Sequence, residues 1–235
     1  MSIIIAVLYS LFLSIRFMPA LGIKPRECRA YLQKSVNLTL CYLAFRSRRS
    51  FTQAALAGRA AFLCCAYDVV TDWRGFCPQL GHSYRSILEK YAPPRLVRLA
   101  CSLYAKDRDG CLQQDGLERG PIAFIFVTGL MGSEPLFAQR GDMDRVGLLL
   151  QLVDDILDYE QDMAKGDLNC LCSGRREYYL SLASSYLTED FVSFFFPSRV
   201  MSHVIGHARR KAILLESRDP GLMHPDRKLG LASYS

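Results

Sequence analysis

Three aspartates follow one another at four-residue spacing in the stretch 151–169, at Asp154, Asp158 and Asp162. In an α-helix of 3.6 residues per turn, each such step turns by only about 40°, so the three carboxylates form a column on one face. The neighbouring apolar residues place this column beside packed surface. Like charges at this spacing destabilise a helix by about 0.2–0.5 kcal/mol per pair, which favours a bound cation. Carboxylate oxygens prefer a hard ion, Mg²⁺ before Ca²⁺ or Zn²⁺; an acidic face open to solvent is the alternative.

A second acidic pair, Asp68 and Asp72, lies one helical turn apart in the apolar segment 52–73. A carboxylate without a partner is costly in such surroundings. Either the pair reaches solvent at the end of the helix, which Arg74 and Gly75 would allow, or it faces the first column across a cavity. In the second arrangement, the two sets of carboxylates would hold divalent ions with room for a polyanion between them.

The elements that must position these residues are predicted to be helices. No sustained alternation of period two and no internal repeat is present, so the sequence predicts an all-α fold. We expect helices over about 26–46, 52–73, 94–107, 151–169, 175–186 and 189–215. By periodicity the apolar run 121–137 suits either a buried helix or a strand, and its length and neighbours favour a helix. Residues 107–120 are rich in Gly and charge and predict a loop or broken helix, and the tail from about 217 predicts loose order.

Composition is consistent with one domain spanning residues 1–235, since half of the chain is hydrophobic. The net charge of +6 is dispersed in short basic pairs without a nucleic-acid-reading module, so an anionic small ligand suits it and nucleic acid is not expected.

Nine cysteines without a CxxC pair indicate free thiols and a cytoplasmic protein. Residues 2–15 are apolar but shorter than the roughly 20 residues of a membrane span, so we expect a buried first helix, with peripheral membrane contact as the alternative.

The string DDILDYEQDMAKGD, residues 154–167, resembles the second metal-binding motif of class I isoprenoid synthases. This group contains terpene cyclases, trans-prenyltransferases and squalene or phytoene synthases. Asp154, Asp158 and Asp162 fall at the three ligand positions of the (N/D)DxxSxxxE pattern, and Gly166 with Asp167 matches the GD that commonly follows. The stretch 151–159 is equally similar to the FQLxDDxLDY sequence of polyprenyl synthases.

Asp68 and Asp72 resemble the first aspartate motif of the same group, in the DxxxD form found in squalene and phytoene synthases. The resemblance implies a class I terpenoid synthase-like helical bundle around a central cavity. It also implies that three Mg²⁺ ions, held by both motifs, bind the diphosphate of a prenyl substrate. Arg108, Arg119 and Lys165 are the basic residues that we expect to contact the diphosphate.

Aromatic residues are expected to line the cavity that the resemblance implies. Loss of diphosphate would leave an allylic carbocation, and aromatic faces stabilise a cation without offering a nucleophile. Phe62, Phe124 and Phe126 are the predicted cavity residues, with the run 194–196 as a further candidate; packing in the core is the alternative for each.

The sequence also departs from these families. Only Arg74 and Gly75 stand where elongating prenyltransferases have RRG, so chain elongation is not expected. Gln161 replaces a basic residue that commonly precedes the last ligand, and Asp154 stands where Asn is usual.

The expected function is a Mg²⁺-dependent class I terpene synthase acting on a linear prenyl diphosphate. The alternatives are a head-to-head prenyl coupling enzyme and a non-catalytic helical protein that binds a prenyl or lipid ligand. Homodimerisation is a further option.

Overall fold

The computed structural model describes residues 2–44, 50–109, 117–132, 140–165, 169–188 and 199–217. Within these ranges the chain forms helices and turns without a β-strand, which confirms the predicted all-α class. The α-helices are α1 (Ser2–Phe17), α2 (Cys28–Ala44), α3 (Phe51–Asp68), α4 (Pro78–Tyr91), α5 (Pro94–Arg108), α6 (Arg119–Leu130), α7 (Arg140–Lys165), α8 (Arg176–Tyr186) and α9 (Arg199–Glu216). The centre of the predicted 107–120 connection, most of the tail and the run 194–196 lie outside the described residues.

Local sequence explains where several helices begin and end. Ser50 caps α3: its Oγ accepts a hydrogen bond from the Gln53 main-chain N–H at 3.2 Å, and the Gln53 side chain accepts one from the Ser50 N–H at 3.2 Å. Pro94 occupies the first position of α5, where a missing N–H costs nothing. A π-helical turn, Val69–Trp73, continues α3 up to Gly75, whose φ of 57° lies in the left-handed region. The predicted central helix ending near Gly75 is therefore confirmed, whereas α4 was not predicted.

Two hydrophobic cores are built on either side of α6. The first joins α1, α2 and α3 with α4 and α5, and the second joins α7, α8 and α9. From α6, Phe126 packs into the first core and Phe124 into the second. Residues Phe51–Trp73 have the length and hydropathy of a membrane span, but 67% of the most apolar window is buried, as in a core helix.

The first helix differs from the buried helix that was expected. Its inward face carries the small or polar residues Ala6, Ser10 and Ser14 together with Leu13, and all four are buried. Its outward face carries large apolar side chains, among them Leu8 and Phe12, which are more than half exposed. Because residues 2–15 are apolar on all sides of the helix, the sequence does not show which face packs inward.

Helices α6 and α7 approach each other closely because each has glycine at the crossing. A Cβ atom on Gly120 would lie 2.3 Å from the main-chain oxygen of Gly147 and 2.7 Å from Cβ of Gln151. A Cβ on Gly147 would lie 2.6 Å from Cα of Pro121. This contact holds the start of α6, with Arg119, against the helix that carries the column of aspartates.

Gly120→Ala is expected to destabilise the protein by about 1–3 kcal/mol, because the added methyl group meets main-chain atoms that cannot rotate away. Gly174→Ala is the matched control, since a Cβ atom at Gly174 would have no neighbour within 4 Å; its effect should stay within about 0.5 kcal/mol. Urea denaturation of both variants measures the difference. Equal stabilities would show that the crossing tolerates a wider spacing.

Candidate functional site

The first acidic pair lies at the junction of α3 and its π-helical turn. Asp68 is the last residue of α3, and Asp72 lies within the turn Val69–Trp73. Asp68 is partly buried and Asp72 is exposed. The Thr71 hydroxyl oxygen lies 3.1 Å from Oδ1 of Asp72. Single π-helical turns occur frequently at functional sites, because they redirect side chains that a regular helix would place elsewhere.

Lys34 of α2 is the ion-pair partner of Asp68, with 2.6 Å between Nζ and Oδ2. Burial raises the pKa of Asp68, and the charge of Lys34 opposes that shift. Burial alone would lower the pKa of Lys34, but the Asp68 carboxylate more than offsets it, so the pKa of Lys34 ends above its usual value. Sequence reasoning missed Lys34 because no motif surrounds it.

Asp154 of α7 is open to water, yet the surrounding protein raises its pKa to about 7. Burial is the largest cause, followed by the negative charges of Asp158, Asp155 and Asp68. Because the charge of Asp68 contributes to the shift, the two acidic motifs are close enough to act on each other electrostatically. The structure thus brings together residues that are far apart in the sequence.

Asp155, next to Asp154, has a different role. Its side chain is buried, accepting hydrogen bonds from Nε2 of Gln151 at 2.9 Å and from the main-chain N–H of Cys170 at 2.8 Å. Nδ2 of Asn169 lies 2.8 Å from the main-chain oxygen of Asp155 and 2.9 Å from Oδ2 of Asp162. These bonds attach the chain that follows α7 to the helix, and they hold Asp162, the third predicted ligand, against Asn169.

Arg119 is a predicted diphosphate contact that the structure places near the first acidic pair. Its guanidinium donates two hydrogen bonds to Oδ1 of Asp107, at 3.1 and 2.5 Å, while the Tyr67 hydroxyl donates to Oδ2 of Asp107 at 2.6 Å. The charge of Arg119 lowers the pKa of Asp68. Burial lowers the pKa of Arg119, but Asp107, and then Asp72, raise it above its usual value.

The structure does not place the other two predicted diphosphate contacts beside the acidic motifs, as it does Arg119. Arg108 is exposed and donates two hydrogen bonds to its neighbour Asp109, at 2.7 and 3.2 Å. The charges that act on Arg108 are those of Asp109 and Tyr104, not those of the acidic motifs. The side chain of Lys165, at the end of α7, lies outside the described residues.

The three predicted cavity aromatics are buried in the packed cores. Phe62 is fully buried, with its ring centroid 5.6 Å from that of Phe17 and 6.3 Å from that of Tyr91. Phe124 belongs to the second core and Phe126 to the first. Their observed role is packing, and their contact with a substrate stays a prediction.

The acidic residues fit Mg²⁺ in donor type and charge. Among the described residues, no three Asp, Glu, His or Cys side chains are already grouped so as to hold a metal ion. Burial raises the pKa of Asp154, and repulsion from the charges of Asp158, Asp155 and Asp68 adds to the shift. A divalent cation would relieve this repulsion, and carboxylate oxygens are the donors that Mg²⁺ prefers. Asp154, Asp158, Asp68 and Asp72 are the residues that would hold it.

Comparison with protein-family models, with curated proteins and with solved structures gives no match for this chain.

The pKa of Asp154 makes the stability of the metal-free protein depend on pH. Its folded value of about 7 exceeds the ordinary value of 3.8, so the folded state binds more protons between these values and stability falls as pH rises through them. Asp154→Asn removes this effect. The variant should be more stable than the parent at pH 8 by about 1 kcal/mol, a figure reduced because water screens the open carboxyl group.

Urea denaturation in EDTA at pH 5 and pH 8 measures this difference, which should be smaller at pH 5. Asp144→Asn, earlier on the same helix, is the control and should show no such pH dependence. If Asp154→Asn were no more stable than the parent at pH 8, this result would contradict the raised pKa of Asp154.

Proposed function

We propose that this chain is a Mg²⁺-dependent class I terpene synthase that ionises a linear prenyl diphosphate and releases diphosphate. The proposal is supported by the proximity of two acidic motifs that are distant in the sequence, since the charge of Asp68 is among those that raise the pKa of Asp154. Lys34 and Arg119 lie beside the same acids. The carboxylates suit a hard cation, and the two basic groups suit phosphate oxygens.

The basic residues have distinct roles in this proposal. Lys34 carries a compact charge on a flexible side chain, so it can bind a phosphate oxygen while remaining close to Asp68. Arg119 is fixed by Asp107, which itself is held by Tyr67. This bonding orients the guanidinium before a ligand arrives and reduces the entropy lost on binding. When bound, Mg²⁺ supplies electrostatic stabilisation of the charge that develops on the departing diphosphate.

Side chains around Asp68 keep their protons, which suits a site that must not trap a carbocation. Burial raises the pKa of the Cys64 thiol to about 12, so it remains uncharged at neutral pH. Burial also raises the pKa of Tyr42 well above its usual value. A protonated thiol and a phenol are far weaker nucleophiles than a thiolate and a phenolate.

A non-catalytic prenyl- or lipid-binding protein is the second candidate function. It is favoured by the Lys34–Asp68 ion pair, which already neutralises one predicted ligand, and by the lack of a ready three-ligand group among the described residues. The DxxxD form of the first motif, Asp68 to Asp72, supports head-to-head coupling as a further enzymatic alternative.

Incubation of the full chain with C10, C15 and C20 prenyl diphosphates and Mg²⁺ separates these functions. Gas chromatography with mass spectrometry is expected to show a hydrocarbon or alcohol of unchanged carbon number. Products of doubled carbon number would instead support coupling. Ligand binding without turnover would support the non-catalytic protein.

Asp158→Ala is expected to lower kcat by about 100-fold or more, because the loss of one group that stabilises developing charge commonly has this effect. Diphosphate release under saturating substrate measures it. Asp144→Ala, on the same helix but outside the column, should retain the activity of the parent. Unchanged turnover in Asp158→Ala would refute the assignment of the α7 column as the site.

Lys34→Met is expected to weaken binding of inorganic diphosphate, in the presence of Mg²⁺, by about 10-fold or more, because one charge-assisted hydrogen bond is lost. Lys34→Arg should restore part of the affinity. Lys106→Met serves as a control, since Lys106 is exposed and its ion pair with Glu118 is long, at 3.9 Å. Isothermal titration calorimetry gives the affinities of the parent and the three variants. An unchanged affinity in Lys34→Met would exclude Lys34 from the site.

A further inference from the structure

The outward face of α1 is a stripe of large apolar side chains. It consists of Ile4, Leu8, Phe12 and Ile15, each more than half exposed. At about 100° per residue these four positions fall within about 80° of the helix circumference, so they form one surface. We name this surface the α1 stripe. Four large apolar side chains exposed on one helix exceed the isolated apolar residues that are normal on a protein surface.

The inward face of α1 combines small and hydroxyl residues with Leu13, which is also buried, and Tyr9 and Phe17 pack partly against the first core. Ser10 and Ser14 are fully buried, with their hydroxyl oxygens 2.6 and 2.9 Å from that of Ser35 on α2. Ala6 packs against α3 at Gly58, where a Cβ atom would lie 2.4 Å from the main-chain oxygen of Ala6. A helix at a water-exposed surface normally turns its large apolar residues inward. Small and hydroxyl residues between helices, with large apolar residues outside, are typical of helices that contact lipid.

The length of α1 sets its orientation in a lipid layer. Its 16 residues span about 24 Å, which is less than the roughly 30 Å of bilayer hydrocarbon. The helix is therefore too short to cross a bilayer upright and suits a position in the plane of the interface. Amphipathic interfacial helices bury their apolar face about 5–10 Å into this boundary.

The charges beside α1 are complementary to an anionic lipid surface. Arg16 lies in the last turn of α1, and Lys24 and Arg26 follow the helix. All three are exposed. No acidic residue occurs in the sequence before Glu27, and Glu27 is ion-paired with Arg74. Basic residues near a membrane surface are attracted to anionic headgroups by about 1 kcal/mol each.

We propose that the α1 stripe docks on an anionic phospholipid bilayer, with α1 in the plane of the interface and Arg16, Lys24 and Arg26 at the headgroups. None of these residues belongs to the two acidic motifs, so the proposal does not depend on the catalytic function.

Sedimentation of the full chain with vesicles tests the proposal. Binding is expected to phosphatidylcholine vesicles that contain about one third phosphatidylserine, and to weaken with added salt as surface electrostatics are screened. The double variant Leu8→Gln/Phe12→Gln should lower the partition coefficient at least about 10-fold, since two buried apolar side chains are lost. Ile213→Gln/Leu214→Gln changes two similarly exposed residues of α9 and should bind like the parent.

Arg16→Gln/Lys24→Gln should bind these vesicles and vesicles of pure phosphatidylcholine equally weakly, because the preference for anionic lipid is removed. Failure of the parent to bind either vesicle, or unchanged binding by Leu8→Gln/Phe12→Gln, would overturn the proposal. Light scattering tests whether the α1 stripe is instead an interface between two copies of the chain. That reading would be supported if the parent is a dimer, Leu8→Gln/Phe12→Gln is a monomer and vesicle binding is the same for both.

Discussion

Repulsion between the carboxylates of the two acidic motifs is the constraint on which the proposed site depends. Asp68 at the end of α3 and Asp154 on α7 are close enough for the first to raise the pKa of the second. Lys34 balances Asp68 directly, and Arg119 contributes from the start of α6. No ion pair joins Asp154 to a basic side chain among the described residues, and burial together with the neighbouring carboxylates raises its pKa to about 7. A cation from outside the protein would reduce this repulsion.

The fold holds these charges together through buried polar bonds and close helix packing. Asp107 on α5 accepts hydrogen bonds from Tyr67 on α3 and Arg119 on α6, so one carboxylate joins three helices. The glycine contact between α6 and α7 brings the two halves of the site to a fixed spacing, since a Cβ atom at either glycine would meet main-chain atoms. Asp155 secures the chain that follows α7. The position of the acids is thus a property of the whole bundle.

Helical periodicity and caps predicted most of the helices, and four-residue spacing predicted that Asp154 and Asp158 share a face. Spacing did not reveal that Asp155 is structural, because its role depends on a main-chain N–H that returns after α7. Lys34 stands in a segment without a motif, and only the packing of α2 on α3 brings it to Asp68. The exposed face of α1 was equally inaccessible, since a segment apolar on all sides does not show which side packs.

A double-mutant cycle for Mg²⁺ binding tests most directly whether the two acidic motifs form one cation site. Titration calorimetry of the parent, Asp68→Asn, Asp154→Asn and the double variant gives the coupling between the two carboxylates. A shared ion predicts that each single change weakens Mg²⁺ binding and that the effects are non-additive by about 0.5 kcal/mol or more. Strictly additive losses, or an affinity that neither change alters, would contradict a shared site.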